Sequence, residues 1–212
     1  MVTEPTSVER ALLARLAVEH GRGLSYYDVK REMAAGRPPL AGRSARSVAK
    51  ALARLQTERL IEASDSDIET VRHLFRAYAE SLPFSLAFQD FAAELAGLPA
   101  PYNAPAGCLL IAKRETVAAG VVGLKPLAGG IAEIKRLYVI TEARGIGLGR
   151  ALAERALAKA RLKGYERVRL DTHRPSMAAA IALYRRLGFV EIPPYGSNPD
   201  GQFAFFEKRL SE

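Results

Sequence analysis

The sequence has little of what secreted or membrane-spanning proteins need. It holds one cysteine, Cys108, inside the apolar stretch GCLLIA, so no internal disulfide can form and a buried thiol is predicted. The N-terminus, MVTEPTSVER, has neither the basic region nor the apolar core of a secretory signal. No apolar run approaches the roughly 18 residues that a membrane-spanning helix requires. These absences favour a cytoplasmic protein that does not enter a membrane.

The charge is basic and unevenly distributed along the 212 residues. Lys and Arg number 31 against 23 Asp and Glu, which gives a formal net charge of +8. Residues 1–60 hold 11 basic and 6 acidic residues, and residues 61–212 hold 20 and 17. A basic surface suits anionic ligands, from nucleic acid to a polyphosphate cofactor, although it also serves solubility alone.

The hydrophobic pattern divides the chain into a helical segment, 1–58, and a larger α/β domain, 59–212. Apolar spacing and glycine or proline breakers predict helices at 8–20, 25–34 and 44–59 in the first segment. In the second, strands are predicted at 59–63, 107–113, 117–125, 131–140, 167–172, 189–193 and 203–209, and helices at 66–81, 87–97, 146–163 and 177–187. This order predicts a mixed central sheet flanked by helices, antiparallel in its first half, with one parallel β-α-β crossover.

The stretch RLYVITEARGIGLGR, residues 136–150, joins a predicted strand to the longest predicted helix through three alternating glycines. Glycine lets a ligand approach the backbone closely. The free N–H groups of a first helical turn attract an anion, so phosphate is the expected ligand.

Two common phosphate motifs fit this junction poorly. A P-loop ends in Gly-Lys-Ser/Thr, whereas Gly149 is followed by Arg150-Ala151. A dinucleotide-binding turn would find its ribose-binding acid in Asp171, 22 residues after Gly149. However, Arg150 stands where that motif has its third glycine, and residues 141–144 separate the strand from the first glycine.

A third motif fits better. Arg144-x-x-Gly147-x-Gly149 resembles the Arg/Gln-x-x-Gly-x-Gly/Ala signature of the GNAT superfamily of acetyl-CoA-dependent N-acyltransferases. Further on, the stretch AAAIALYRRLGFVEI is similar to that superfamily's A-x-x-LY-x-x-x-GF segment, through Ala180, Leu183, Tyr184, Gly188 and Phe189. The resemblance extends over residues 61–209. One departure is Met177, where members often carry Asn.

The resemblance implies acetyl transfer from acetyl-CoA to a primary amine of a small molecule, peptide or protein, in a ternary complex without a metal or an enzyme nucleophile. EIKRLYV is similar to the superfamily's fourth strand, whose exposed backbone pairs with the pantetheine arm. Tyr184 matches the tyrosine that protonates the leaving thiolate. The residues implied in cofactor binding are Leu137, Tyr138, Val139, Arg144, Gly145, Ile146, Gly147, Leu148, Gly149 and Arg150.

The general base is open at this stage. Glu133 lies eleven residues before Arg144, which is the position of the catalytic glutamate in histone-acetyltransferase-type members. A carboxylate on a half-buried strand can accept a proton near neutrality. His173, just past the strand that carries Asp171, and a water chain are the alternatives. The acceptor is expected to be recognised by the loops between the first two helices of this domain and around IPPYGSNPDG. Tyr102, Tyr195 and Asn198 are polar or aromatic loop residues that suit a small ligand or a peptide end, although each can also serve only as a turn or surface residue.

The segment SARSVAKALARLQTERLIEA resembles the recognition helix and following strand of MarR-like winged-helix regulators. Arg43, Arg46, Lys50 and Arg54 would form one basic helical face able to meet phosphates. A long loop before Ser44 and the acidic SDSDIET in place of a basic wing argue against this function. The favoured prediction is a helical cap or a homodimerisation element. The alternative is a DNA-binding regulator that carries an acyltransferase-like domain and contacts DNA through residues 43–59.

Overall fold

The computed structural model describes residues 58–114 and 117–210. The helices predicted at 8–20 and 25–34 lie outside the described residues, as do residues 44–57 of the third predicted helix and of the MarR-like segment. The prediction that the third helix continues to residue 59 is wrong, because Glu58 and Arg59 begin the first strand. Within the described ranges, no helix has both the length and the apolarity needed to cross a bilayer.

Seven strands form one sheet in the order β1-β2-β3-β4-β5-β7-β6. The strands are β1 (Glu58–Glu62), β2 (Cys108–Arg114), β3 (Val117–Leu127), β4 (Ile131–Val139), β5 (Arg167–His173), β6 (Val190–Ile192) and β7 (Phe203–Arg209). The α-helices are α1 (Ile68–Glu80), α2 (Phe91–Gly97), α3 (Leu148–Leu162) and α4 (Ala178–Arg186). All neighbouring strands are antiparallel except β4 and β5, which α3 connects in parallel. The predicted α/β fold is therefore confirmed.

The sheet buries apolar side chains on both faces. Because side chains alternate along a strand, Leu110 belongs to the core beneath α3, while its neighbour Ile111 belongs to the core beneath α1. Leu152 of α3 and Phe75 of α1 are both fully buried. Cys108 is 2% exposed, as predicted, and burial raises the pKa of its thiol to about 11.

Two predicted helices differ at their ends. Helix α3 begins at Leu148, two residues later than expected, because Gly145 and Gly147 adopt left-handed φ angles of 77° and 97° that a helix does not contain. Ile146 therefore lies in the turn before the helix. The helix predicted over 87–97 is a 3₁₀ turn, Ala87–Gln89, followed by α2, with Asp90 at a left-handed φ of 54° between them.

Strands β4 and β5 separate after a short paired region. Their parallel pairing ends at Glu133 opposite Arg169, although β4 continues to Val139 and β5 to His173. Arg136, at φ 56°, bulges β4 where its register with β3 shifts. A bulge of this kind increases local twist and bends a strand. The separation leaves the β5-facing edge of β4 without a strand partner beyond Glu133.

Candidate active site

The first cleft opens where β4 and β5 separate and extends along the glycine turn to α4. It has a volume of about 590 Å³. Among the described residues, five cationic side chains line it: Lys135, Arg136, Arg144, Arg150 and Arg186. Among the described residues, Asp171 is the one carboxylate that lines this cleft. The cleft is therefore suited to a strongly anionic ligand.

The glycine turn places the start of α3 at this cleft. Gly147 caps the helix with no side-chain hydrogen bond, and the first turn contains no acidic residue. The N–H groups of Leu148 and its neighbours in that turn precede the first intrahelical bond, which joins the Ala151 N–H to the Gly147 carbonyl at 3.0 Å. Such amides, together with the helix dipole, form an anion-binding end.

Arg144 is anchored beside this turn. Its Nε donates to the Val139 carbonyl at 3.0 Å, and its guanidinium lies 5.8 Å from the centre of the Tyr138 ring. Nine of the ten residues expected to bind the cofactor line the first cleft; Ile146 instead packs against the core beneath α3.

Tyr184 of α4 lines the same cleft. Its ring is 6% exposed and packs near Phe189 and Phe206, with centroids 5.8 and 6.5 Å away. Burial raises the pKa of Tyr184 above its ordinary value, and the charge of Asp171 contributes in the same direction. The phenol is therefore protonated near neutral pH.

Glu133 faces a second cavity, of about 450 Å³. Its carboxylate receives a hydrogen bond from the Tyr195 hydroxyl at 2.7 Å and an ion pair from Lys125 at 3.1 Å, while the Lys135 ammonium is 3.7 Å away. The side chain is only 5% exposed. Glu133 does not line the first cleft, so the structure places it and Tyr184 in adjoining spaces.

The two spaces share a boundary. Gln89, Lys135, Arg136 and Asp171 line both the first cleft and the second cavity. The Asp171 carboxylate accepts hydrogen bonds from Lys135 at 2.6 Å and Gln89 at 2.7 Å. Burial alone would raise the pKa of Asp171, but Lys135 and Gln89 outweigh it and lower that pKa. The boundary therefore contains a carboxylate that stays charged.

His173 lies on the first-cleft side of this boundary. Its Nδ1 is 2.8 Å from the Ser176 hydroxyl, and its ring packs 4.3 Å from Phe84 and 5.3 Å from Phe203. The ring is 6% exposed. A proton taken up by His173 would therefore come from a group inside the first cleft and not from the second cavity.

Of the three loop residues expected to contact the acceptor, two line the second cavity: Tyr102 and Tyr195. Tyr102 is 2% exposed and donates its hydroxyl to Glu94. Asn198 instead stabilises its own loop, because its side-chain oxygen accepts the Phe203 N–H at 3.0 Å.

Sequence reasoning missed Arg136, which lies at the bulge of β4 and connects it to Glu94 and Gln89. Arg136 donates to Glu94 through its Nε and to Gln89 at 2.7 Å, and its guanidinium lies 5.1 Å from the Phe91 ring. Tyr78 was also missed; it lines the first cleft, and burial raises its pKa to about 12. An arginine inside an apolar strand was the available signal, since a buried guanidinium requires an acidic partner.

Comparisons with known proteins agree with this geometry. Residues 68–189 match the model of the acetyltransferase (GNAT) family. An N-acetyltransferase from Schizosaccharomyces pombe is 32% identical over 148 residues, which cover 69% of this chain and 90% of that protein.

Solved structures share the fold. A GNAT-family acetyltransferase from Staphylococcus aureus has a TM-score of 0.62 at 18% identity, covering 73% of this chain and 99% of that one. An acetyltransferase from Salmonella typhimurium, solved with its cofactor acetyl-CoA, has a TM-score of 0.54 at 20% identity, covering 74% and 95%. The family match and the S. pombe relative together establish that this chain belongs to the acetyltransferase (GNAT) family.

Proposed function

We propose that acetyl-CoA binds in the first cleft, that a primary amine enters through the second cavity, and that the acetyl group passes directly between them in a ternary complex. The observation that carries this proposal is the shared boundary of two spaces with different charge. Five cationic side chains and one carboxylate line the first cleft, whereas three cationic side chains and four carboxylates line the second cavity among the described residues.

The cofactor site uses backbone more than side chains. The pyrophosphate lies on the amides of residues 145–150, with Arg144 and Arg150 supplying positive charge. The pantetheine arm runs along residues 137–139, where β4 has no strand partner on its β5 side. Support comes from the left-handed glycines, which expose the amides, and from the early end of the β4–β5 pairing.

The acceptor reaches the thioester from the carboxylate-lined side. An ammonium is attracted to the second cavity by Asp90, Glu94, Glu133 and Asp171. Glu133 takes one proton from it, and the free amine then attacks the thioester carbonyl carbon. The C–N bond forms, the C–S bond breaks, and the nitrogen gives up a second proton to water as the amide forms. The products are an N-acetyl amide, the CoA thiolate and that second proton, from which the acid that protonates the thiolate is restored.

Tyr184 protonates that thiolate. Burial raises the pKa of Tyr184, which keeps its proton in place at neutral pH until the leaving group carries charge. A thiolate is destabilised where it is withdrawn from water, so a phenol beside the leaving group favours its departure.

Glu133 is preferred to His173 as the base because of where each side chain lies. Glu133 faces the cavity through which the amine enters, whereas His173 lies in the first cleft with its Nδ1 against Ser176. A water chain that delivers the proton to Asp171 is the remaining route, since Asp171 lines both spaces.

Titration calorimetry with acetyl-CoA tests the cofactor site, and CoA-thiol release with L-lysine, cadaverine and a short peptide with a free N-terminus tests transfer. We expect micromolar binding and thiol release that depends on the added amine. No heat and no thermal stabilisation at millimolar acetyl-CoA would contradict the proposed cofactor site. Thiol release at the same rate with and without amine would contradict transfer to an amine.

The base is tested by the pH dependence of kcat/KM. Glu133→Gln should flatten the acidic limb of the profile, because the group whose protonation stops the reaction is gone. His173→Ala is the matched variant. If the limb disappears in His173→Ala and persists in Glu133→Gln, the base is His173.

A further inference from the structure

We propose that Tyr195 is a positioning residue for Glu133: its hydroxyl holds the carboxylate in the orientation that receives the acceptor's proton. This inference rests on the proposed function, in which Glu133 is the base. It assigns to the loop between β6 and β7 a part in the proton transfer, beyond contact with the acceptor.

The contact joins distant parts of the chain at the second cavity. The Tyr195 hydroxyl donates to Glu133 Oε1 at 2.7 Å across 62 positions of sequence. The other oxygen, Oε2, is ion-paired with the Lys125 ammonium at 3.1 Å. A carboxylate has about four acceptor sites, so each oxygen retains capacity for the ammonium of a substrate. The two contacts fix the plane of the carboxylate without filling it.

The tyrosine ring is itself held on two further strands. It packs edge-on against Phe205 of β7, with centroids 5.1 Å apart, and the guanidinium of Arg169 in β5 lies 5.0 Å from its centre. Arg169 is in turn paired with Glu207 at 2.8 Å. Arg169 is also the register partner of Glu133. The hydroxyl is therefore directed at the carboxylate by the sheet, not by a freely moving loop.

The hydroxyl stays a donor throughout the working range. Burial raises the pKa of Tyr195 well above its ordinary value, and the negative charge of Glu133 raises it further. The other charged and titratable groups around Glu133 come from every neighbouring element: Lys125 of β3, Lys135 of β4, Asp171 and Arg169 of β5, and Tyr102 of the loop after α2.

Removal of the hydroxyl has a predictable sign. A hydrogen bond donated to a carboxylate favours its charged form. Without that bond Glu133 binds a proton at higher pH, so the acidic limb of the kcat/KM profile moves to higher pH. A hydrogen bond to a charged group corresponds to a shift of about one pH unit. If Tyr195 only stabilised the fold, removal of its hydroxyl would leave the acidic limb of the kcat/KM profile at the same pH.

The test compares Tyr195→Phe with Tyr165→Phe, whose hydroxyl donates to the Ala106 carbonyl at 2.9 Å outside both spaces. Profiles of kcat/KM are measured with the most active of L-lysine, cadaverine and the peptide. We expect Tyr195→Phe to move the acidic limb up by about one pH unit, with acetyl-CoA affinity within about twofold of wild type. Tyr165→Phe should leave the limb in place.

Two further measurements separate the ways in which this can fail. Lys125→Met removes the ion pair with the other oxygen and should move the limb in the same direction. If Glu133→Gln keeps an acidic limb, the proposed base is wrong and the inference falls with it. If Glu133→Gln flattens the limb but Tyr195→Phe leaves it unmoved, Glu133 is the base and the role of Tyr195 is overturned. If Tyr195→Phe lowers both acetyl-CoA affinity and thermal stability, the tyrosine supports the fold as a whole and its positioning role is overturned.

Discussion

The first cleft and the second cavity adjoin one another but are built from different kinds of structure. The first takes much of its wall from one continuous stretch, residues 134–150, and presents backbone amides and a bare strand edge. The second takes its polar groups from separate elements: α2, β3, β4, β5 and the loop before β7. A continuous turn can bind a cofactor through main-chain groups, whereas the second cavity depends on side chains fixed by one another.

The charged side chains of the first cleft and of the second cavity also differ in how they are paired. The cations of the first cleft include Arg144, whose Nε donates to the Val139 carbonyl at 3.0 Å. In the second cavity, Lys125, Lys135 and Arg136 each pair with a carboxylate of the same cavity. The first cleft therefore carries an excess of positive charge, whereas the charges of the second cavity nearly balance.

The largest effect is expected at the first cleft. Tyr184→Phe should lower turnover by about 10²–10⁴-fold, because general acid assistance is lost, while acetyl-CoA affinity is kept by the ring packing against Phe189 and Phe206. Steady-state kinetics and calorimetry separate the two. Tyr165→Phe, whose hydroxyl donates to the Ala106 carbonyl outside both spaces, is the matched variant and should keep most activity. Wild-type turnover in Tyr184→Phe would mean that water protonates the thiolate.

Breaking an ion pair of the second cavity should lower the free energy of unfolding more than breaking an exposed ion pair elsewhere. Glu94→Gln leaves the guanidinium of Arg136, whose side chain is 3% exposed, without its charge partner. Breaking a buried pair in this way costs about 3–5 kcal/mol. Urea denaturation measures this free energy of unfolding. Glu62→Gln breaks the pair with Lys159, in which Glu62 is 40% exposed, and should cost at most about 1 kcal/mol. Equal effects would show that the network does not hold the cavity together.

Backbone binding at the first cleft can be tested with two glycines of similar conformation. Gly145 has φ 77° and Gly129 has φ 70°, and a Cβ at either would meet nothing within 4 Å. Alanine at each should therefore cost a similar ~1–2 kcal/mol of stability through left-handed strain. Only Gly145→Ala should weaken acetyl-CoA binding, by about tenfold, or about 1.4 kcal/mol, as calorimetry would detect. If Gly145→Ala and Gly129→Ala bind acetyl-CoA equally well, the pyrophosphate does not bind at this turn.

The boundary between the two spaces gives an effect that depends on pH. The lowered pKa of Asp171 means that its charge stabilises the fold fully above the ordinary aspartate value of about 3.9, and that this contribution is lost as the pH falls through the lowered value. At pH 7, Asp171→Asn should cost about 1–3 kcal/mol. The difference from wild type should shrink by pH 3 in urea denaturation. Asp65→Asn, at an exposed position, should show no such trend.

The motifs predicted the glycine turn and the helix after it for a physical reason. Gly145, Gly147 and Arg144 act through local backbone geometry, so their spacing is sufficient to predict the turn and the helix that follows. The same reasoning placed the start of α3 two residues too early, because it treated the left-handed glycines as helical. It also missed the break at Asp90, where the favourable helical pattern of 87–97 gives way to a left-handed residue.

The sequence by itself determined the α/β fold, the glycine turn and the family, since periodicity and short motifs record interactions between residues that are near in the chain. Only the tertiary structure decided that Glu133 and Tyr184 face adjoining spaces, that Arg136 joins Glu94, and that Tyr195 reaches Glu133 across 62 positions. These contacts depend on where β4 and β5 separate. That point is set by packing and strand register across the whole sheet, which no local pattern specifies.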